Sequence, residues 1–143
     1  MLNLSLEEAQ LMRLLTGFFG RERVIHRVSV LSVCGGRLSP DLEYSRLGMD
    51  AAELEHWARV NSCLFTIIDD DARPCLVIEF GAPGGGVIDV EQLEHGRYLA
   101  PILACERIHY VTVSPQEFAE IMDPDASLDM FSFLRDKIEG AGD

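Results

Sequence analysis

Two short apolar runs, residues 63–68 and 75–80, flank a polar segment, Asp69-Asp70-Asp71-Ala72-Arg73-Pro74, and nothing else in the sequence limits the fold so tightly. The runs are too short for buried helices and rich in Ile, Val and Phe, while clustered aspartates followed by proline are turn chemistry. The pattern therefore predicts an antiparallel hairpin. Because both runs are apolar almost throughout, the pair is expected at the centre of a sheet covered on both faces. Glu79 breaks the pattern as one ionisable group late in the second run, where a carboxylate is normally paired or functional.

The flanking sequence supplies helices and further strands. Ser5 with Glu8 three residues later has the form of a capping box, and Leu11, Leu14, Leu15 and Phe18 recur at helical spacing, so a helix is expected from about residue 6 to 19 with Gly20 as its stop. Residues 24–33, rich in β-branched side chains, predict a strand. Residues 37–48 read as a connection. Asp50 is the cap expected for a second helix with Ala51, Leu54, Trp57, Ala58 and Val60 on its apolar stripe. The Gly-rich run 81–86 predicts a loop, and Asp89 a cap for a helix that Pro101 kinks or divides. Residues 108–113 form another core strand, Pro115 opens a short helix, and Leu128, Phe131, Leu134 and Ile138 mark a last one.

At 143 residues, with no repeat and no long linker, one domain over 1–143 is expected, with 115–143 as a C-terminal helical extension. No apolar stretch approaches the roughly 20 residues of a membrane span, and the start lacks a secretion signal, so a cytoplasmic location is expected. The four cysteines form no C-x-x-C pair and read as small buried hydrophobes. His26, His56, His95 and His109 show no ligand spacing, and Gly84-Gly85-Gly86 lacks the residues of a phosphate cradle.

Charge narrows the partners. Residues 61–143 hold 16 acidic and 5 basic side chains against 8 and 7 in residues 1–60, so most of the net −12 lies in the second part. A field of that sign repels phosphate backbones and favours a basic protein partner. If nucleic acid is touched, Arg23, Arg27 and Arg37 are the expected contacts.

The order helix, strand, helix, hairpin with an acid late in its second strand, helix, strand resembles the restriction-endonuclease-like, or PD-(D/E)XK, superfamily, and more closely a family of uncharacterised bacterial nuclease-like domains. The opening Leu4-Ser5-Leu6-Glu7-Glu8, the strand Leu64-Phe65-Thr66-Ile67-Ile68-Asp69 and the segment Arg73-Pro74-Cys75-Leu76-Val77-Ile78-Glu79 carry the likeness. It implies an α/β fold, a three-layer α-β-α domain around a small central mixed sheet. In such nucleases two hairpin acids hold Mg²⁺, but here the first position is Leu64, and Gly81 stands where the superfamily often has a catalytic lysine. Asp69 lies about 13 Å along the hairpin from the Glu79 level, too far to share an ion.

The expectation is therefore a noncatalytic nuclease-fold domain that binds a macromolecular partner, either as a protein-binding domain or by acting as an acidic mimic of nucleic acid, with no cofactor. The alternative is a nuclease with migrated ligands, in which Glu79 and Glu8 are the catalytic and metal-holding pair for Mg²⁺ or Mn²⁺. Otherwise Glu8 is a helix-capping residue and Glu79 the partner of an arginine. A homodimer is a further option, through an apolar edge formed by Phe131 and Phe133.

Overall fold

A computed structural model describes residues 5–81, 90–123 and 129–141. Helix α1 (Leu6–Phe19) starts where the Ser5 hydroxyl accepts the Glu8 N–H at 3.1 Å and stops at Gly20, whose φ of 103° few side chains tolerate. The reciprocal half of the expected capping box is not made, because the Glu8 side chain turns to β1 (Val24–Ser29) instead.

The strand expected through residue 33 ends at Ser29. There the serine hydroxyl accepts the Ser32 N–H, the Val30 N–H goes to the Asn61 carbonyl at 2.9 Å, and a one-turn helix, α2 (Val30–Val33), buries Val30, Leu31 and Val33. Local capping thus overrides the β preference of the valines. The expected connection contains a single helical turn, α3 (Tyr44–Leu47). Helix α4 (Ala51–Val60) is capped by Asp50, whose carboxylate accepts the Glu53 N–H at 2.8 Å; Val60, expected on its apolar stripe, is 65% exposed.

The hairpin forms as β2 (Ser62–Ile68) and β3 (Pro74–Phe80). Asp69 makes its turn, with Oδ1 accepting the N–H groups of Asp71 and Arg73 at 2.8 and 3.0 Å, and Ala72 takes a φ of 60°. Helix α5 (Val90–Cys105) continues through Pro101 rather than dividing there, and β4 (His109–Val113) follows. Helix α6 (Pro115–Met122) carries a complete capping box between Ser114 and Glu117, and α7 (Met130–Ala141) closes the fold. The glycine loop over 82–86, the Asp89 cap, Leu128 and the Phe131 side chain lie outside what the structure describes.

The strands form one open mixed sheet in the order β1-β2-β3-β4, antiparallel across the first three and parallel between β3 and β4. A parallel neighbour needs a crossover, and α5 is part of it. Alternation along β3 sends Val77 to one face, where it packs with Val30, Leu54, Ala58 and Leu99 under α2, α4 and α5. Leu76 and Ile78 face the other way, towards Leu11 and Leu15 of α1 and Phe133 and Leu134 of α7. The protein is therefore mixed α/β with helices on both faces of its sheet, and α7 is part of the second core. Phe133, expected at an exposed apolar edge, is 3% exposed. Among the described residues, no helix is long and apolar enough to cross a membrane.

Besides a register shift between Ile67 and Ile68 where β2 pairs with β3, two irregularities interrupt the sheet. Arg27 in β1 has a φ of 54°, and the pairing with β2 passes over it, joining His26 to Phe65 and then Val28 to Cys63. On β2, Cys63 packs in one core and Phe65 in the other although they are two residues apart. The strand rolls over at Leu64, and the described ladder to β3 ends at Phe65 and Ile78.

Candidate functional site

Glu79 sits where the ladder ends. It follows Ile78 on β3, so its side chain points to the Val77 face, and only 7% of the residue is exposed. A buried carboxylate must find donors or lose its charge, and three converge on it. The Leu64 N–H, released by the roll of β2, donates to Oε2 at 3.2 Å; His95 Nε2 of α5 meets the same oxygen at 2.9 Å; the Tyr110 hydroxyl of β4 donates to Oε1 at 3.0 Å. For that contact the imidazole carries its proton on Nε2 when neutral, leaving Nδ1 as the second ring nitrogen.

Aromatic packing fixes this group from outside. The Trp57 ring of α4 lies with its centroid 5.5 Å from that of His95 and meets Tyr98 edge-on at 5.3 Å. Burial, then the charge of Glu79, raises the Tyr110 hydroxyl far above the usual phenol range, so it stays protonated and donates. Burial and the same carboxylate push the Cys63 thiol up to about 12. Glu79 thus ties β3 to β2, β4 and α5 at once, and both of its oxygens are engaged.

The residues expected beside Glu79 lie elsewhere. Glu8 accepts from Arg27 Nη2 at 2.8 Å and meets His26 Nε2 at 3.3 Å. The His26 ring packs on Phe65, 5.3 Å between centroids, which belongs to the core under α1. Glu8 and Glu79 therefore occupy opposite faces of the sheet, and the structure does not bring them together around one ion. The partner of Glu79 is an imidazole and a phenol rather than the arginine expected for it. Glu8, in turn, is an ion-paired residue and not a reciprocal cap.

The other candidates also have structural places. Arg23 pairs with Asp70 on the hairpin turn, Arg27 with Glu8, and Arg37 is exposed after α2. Asp69 is held below the ordinary carboxylate range by the Arg73 N–H above all, with the Asp71 N–H assisting. A side chain at Gly81 would meet Thr112, since a Cβ there falls 3.2 Å from Thr112 Cβ while the Gly81 N–H bonds the Val113 carbonyl at 2.8 Å. Among the described residues, no group of three or more His, Cys, Asp or Glu side chains is arranged to hold a metal ion.

His95 and Tyr110 were not singled out by the sequence. They stand 16 and 31 residues beyond Glu79 on different elements, and neither has a spacing that marks it. The usable signal was Glu79 itself, since an acid buried in a strand requires donors. No known protein family matches the chain, and no curated protein or solved structure gives a significant match.

Proposed function

We propose that this chain is a noncatalytic domain on a restriction-endonuclease-like frame that acts by binding a macromolecular partner, most simply a basic protein. The element order and a mixed sheet with helices on both faces support that frame. The observation that carries the noncatalytic half is the state of the Glu79 carboxylate. A hard divalent cation takes several oxygen ligands, whereas both oxygens of Glu79 are already bound by protein donors. The packing of Gly81 against Thr112 adds to it, because any larger residue there would have to push Thr112 aside by a few tenths of an ångström. The binding half rests on charge, since a chain of net −12 attracts cationic surfaces and competes for sites that recognise phosphate backbones. Four unpaired cysteines suit a reducing compartment such as the cytoplasm.

The test is incubation with labelled duplex and single-stranded DNA in the presence of Mg²⁺ or Mn²⁺. No cleavage above that of a Glu79→Ala control is expected. Cleavage that disappears in Glu79→Ala while the variant remains folded would replace the proposal with a metal-dependent nuclease. Calorimetric titration with Mn²⁺ gives a second readout, with no site-specific heat expected up to millimolar metal.

A further inference from the structure

We propose that the groove between the start of α1 and helix α6 is the docking site for a short basic and apolar segment of a partner protein. This rests on the partner-binding function proposed above and gives it a location. The groove has a volume of about 590 Å³, within the usual range of binding clefts. Phe80, at the end of β3, and Phe118 form its floor, their rings edge to face with centroids 5.5 Å apart. Pro115, Phe118 and Met122 recur at helical spacing on one wall, and Glu7 and Gln10 of α1 stand on the other.

Helix α6 is mounted in an unusual way. Its polar side is fixed: Ser114 and Glu117 exchange the two capping bonds, and Glu117 also pairs with Lys137 of α7 at 2.9 Å. Its apolar side is left incomplete, for none of its residues is fully buried. Leu6 beside the groove is 71% exposed. A helix held by polar bonds on one side, with a half-covered apolar stripe on the other, presents a surface ordered before any partner arrives, which lowers the entropy lost on binding.

Size and charge select the occupant. Among the described residues, eight line the groove, whereas a stable dimer interface uses about 20 to 30 a side. A segment with two or three apolar side chains fits better than a whole subunit face. Among the described residues the one charged side chain lining the groove is the acid Glu7, and no basic side chain lines it. A second copy would bring a net charge of −12 against the same sign, and a nucleic acid would be repelled; a segment whose apolar side chains are flanked by lysine or arginine is attracted.

The probe is a fluorescein-labelled 14-residue peptide of leucine and lysine with leucines at helical spacing, titrated with the full chain and followed by anisotropy. A counterpart with every lysine replaced by glutamate is the control. The lysine peptide is expected to bind with Kd on the order of 10 µM, equivalent to roughly −7 kcal/mol, and the glutamate peptide not at all. Glu7→Lys, an exposed charge reversal that leaves packing untouched, and Met122→Asp are each expected to weaken binding at least fivefold. Val60→Asp, on the distant outer face of α4, leaves it unchanged. Equal affinity across all three variants would mean general attraction to an acidic surface and would overturn the site. So would a concentration-dependent dimer that Met122→Asp dissociates, since the occupant would then be a second copy. Loss of the docking result with no DNA cleavage removes only this site. Cleavage dependent on Glu79 removes the underlying function even if the peptide binds.

Discussion

The Tyr110 to Glu79 bond offers a quantitative check on the cluster. Tyr110→Phe removes one hydroxyl and leaves Glu79 Oε1 without its 3.0 Å donor, in a residue only 7% exposed. Hydrogen bonds to charged groups contribute about 1.5 to 3 kcal/mol, and a buried acceptor left unmatched costs a similar amount, so a loss of about 2 kcal/mol is expected. For a chain of this length that corresponds to a fall in Tm of roughly 7 °C. Glu79→Gln keeps the shape but exchanges an acceptor for a donor, setting an N–H₂ group against either the phenol or the imidazole and Leu64 N–H. It is expected to cost about 2 to 3 kcal/mol. Because both substitutions break the same contact, the double variant should be less destabilised than the sum of the single ones by about 1 to 2 kcal/mol. Urea unfolding followed by Trp57 fluorescence measures this directly, since Trp57 is the sole tryptophan and its ring packs on His95. Costs that add to within about 0.3 kcal/mol would refute the shared contact.

Other consequences follow from local geometry. Burial pushes the Glu117 carboxyl upward, but the Ser114 N–H, Lys137 and the Ser114 hydroxyl together hold it below the ordinary range. A carboxyl whose folded pKa is depressed stabilises the protein above its unfolded pKa of about 4.3 and loses that contribution as pH falls through the folded value. The Tm gap between the native chain and Glu117→Gln should therefore be present at pH 7 and close on the acid side of about pH 4. Burial raises the Cys34 and Cys63 thiols to about 12, so a thiol reagent at pH 8 should modify the half-buried Cys75 and Cys105 first, reaching the other two only on unfolding. Asp50→Ala, which removes the cap of α4, should cost about 1 kcal/mol in the same urea assay.

The sequence disclosed the parts of this molecule governed by local chemistry. The bounds of α1 and the Asp50 cap follow from capping and spacing, and the hairpin from its aspartate-led turn. It disclosed Glu79 for the same reason, since an acid in an apolar strand is a local anomaly. It did not disclose His95 and Tyr110, because their meeting depends on how α5 and β4 return to β3. Nor could it separate Glu8 from Glu79. The alternation of β3 shows that Glu79 shares a face with Val77, but which face receives α1 is decided by tertiary packing alone. The valines after Ser29 misled in the opposite sense, with β preference pointing to a longer strand and the Ser29 cap ending it. Phe133 lies in the core rather than at an exposed edge, a difference that sequence does not carry because a phenylalanine on a terminal helix looks the same whether it covers the core or leaves it.

The left-handed backbone at Arg27 bears on what the edge of the sheet offers to other molecules. As the outermost strand on its side, β1 has backbone groups that no other strand covers among the described residues, and such a margin is a template on which other molecules can add strands of their own. The left-handed residue interrupts the margin after three residues, and its guanidinium is anchored inward to Glu8. An incoming strand would find no long flat stretch to zip against at this edge.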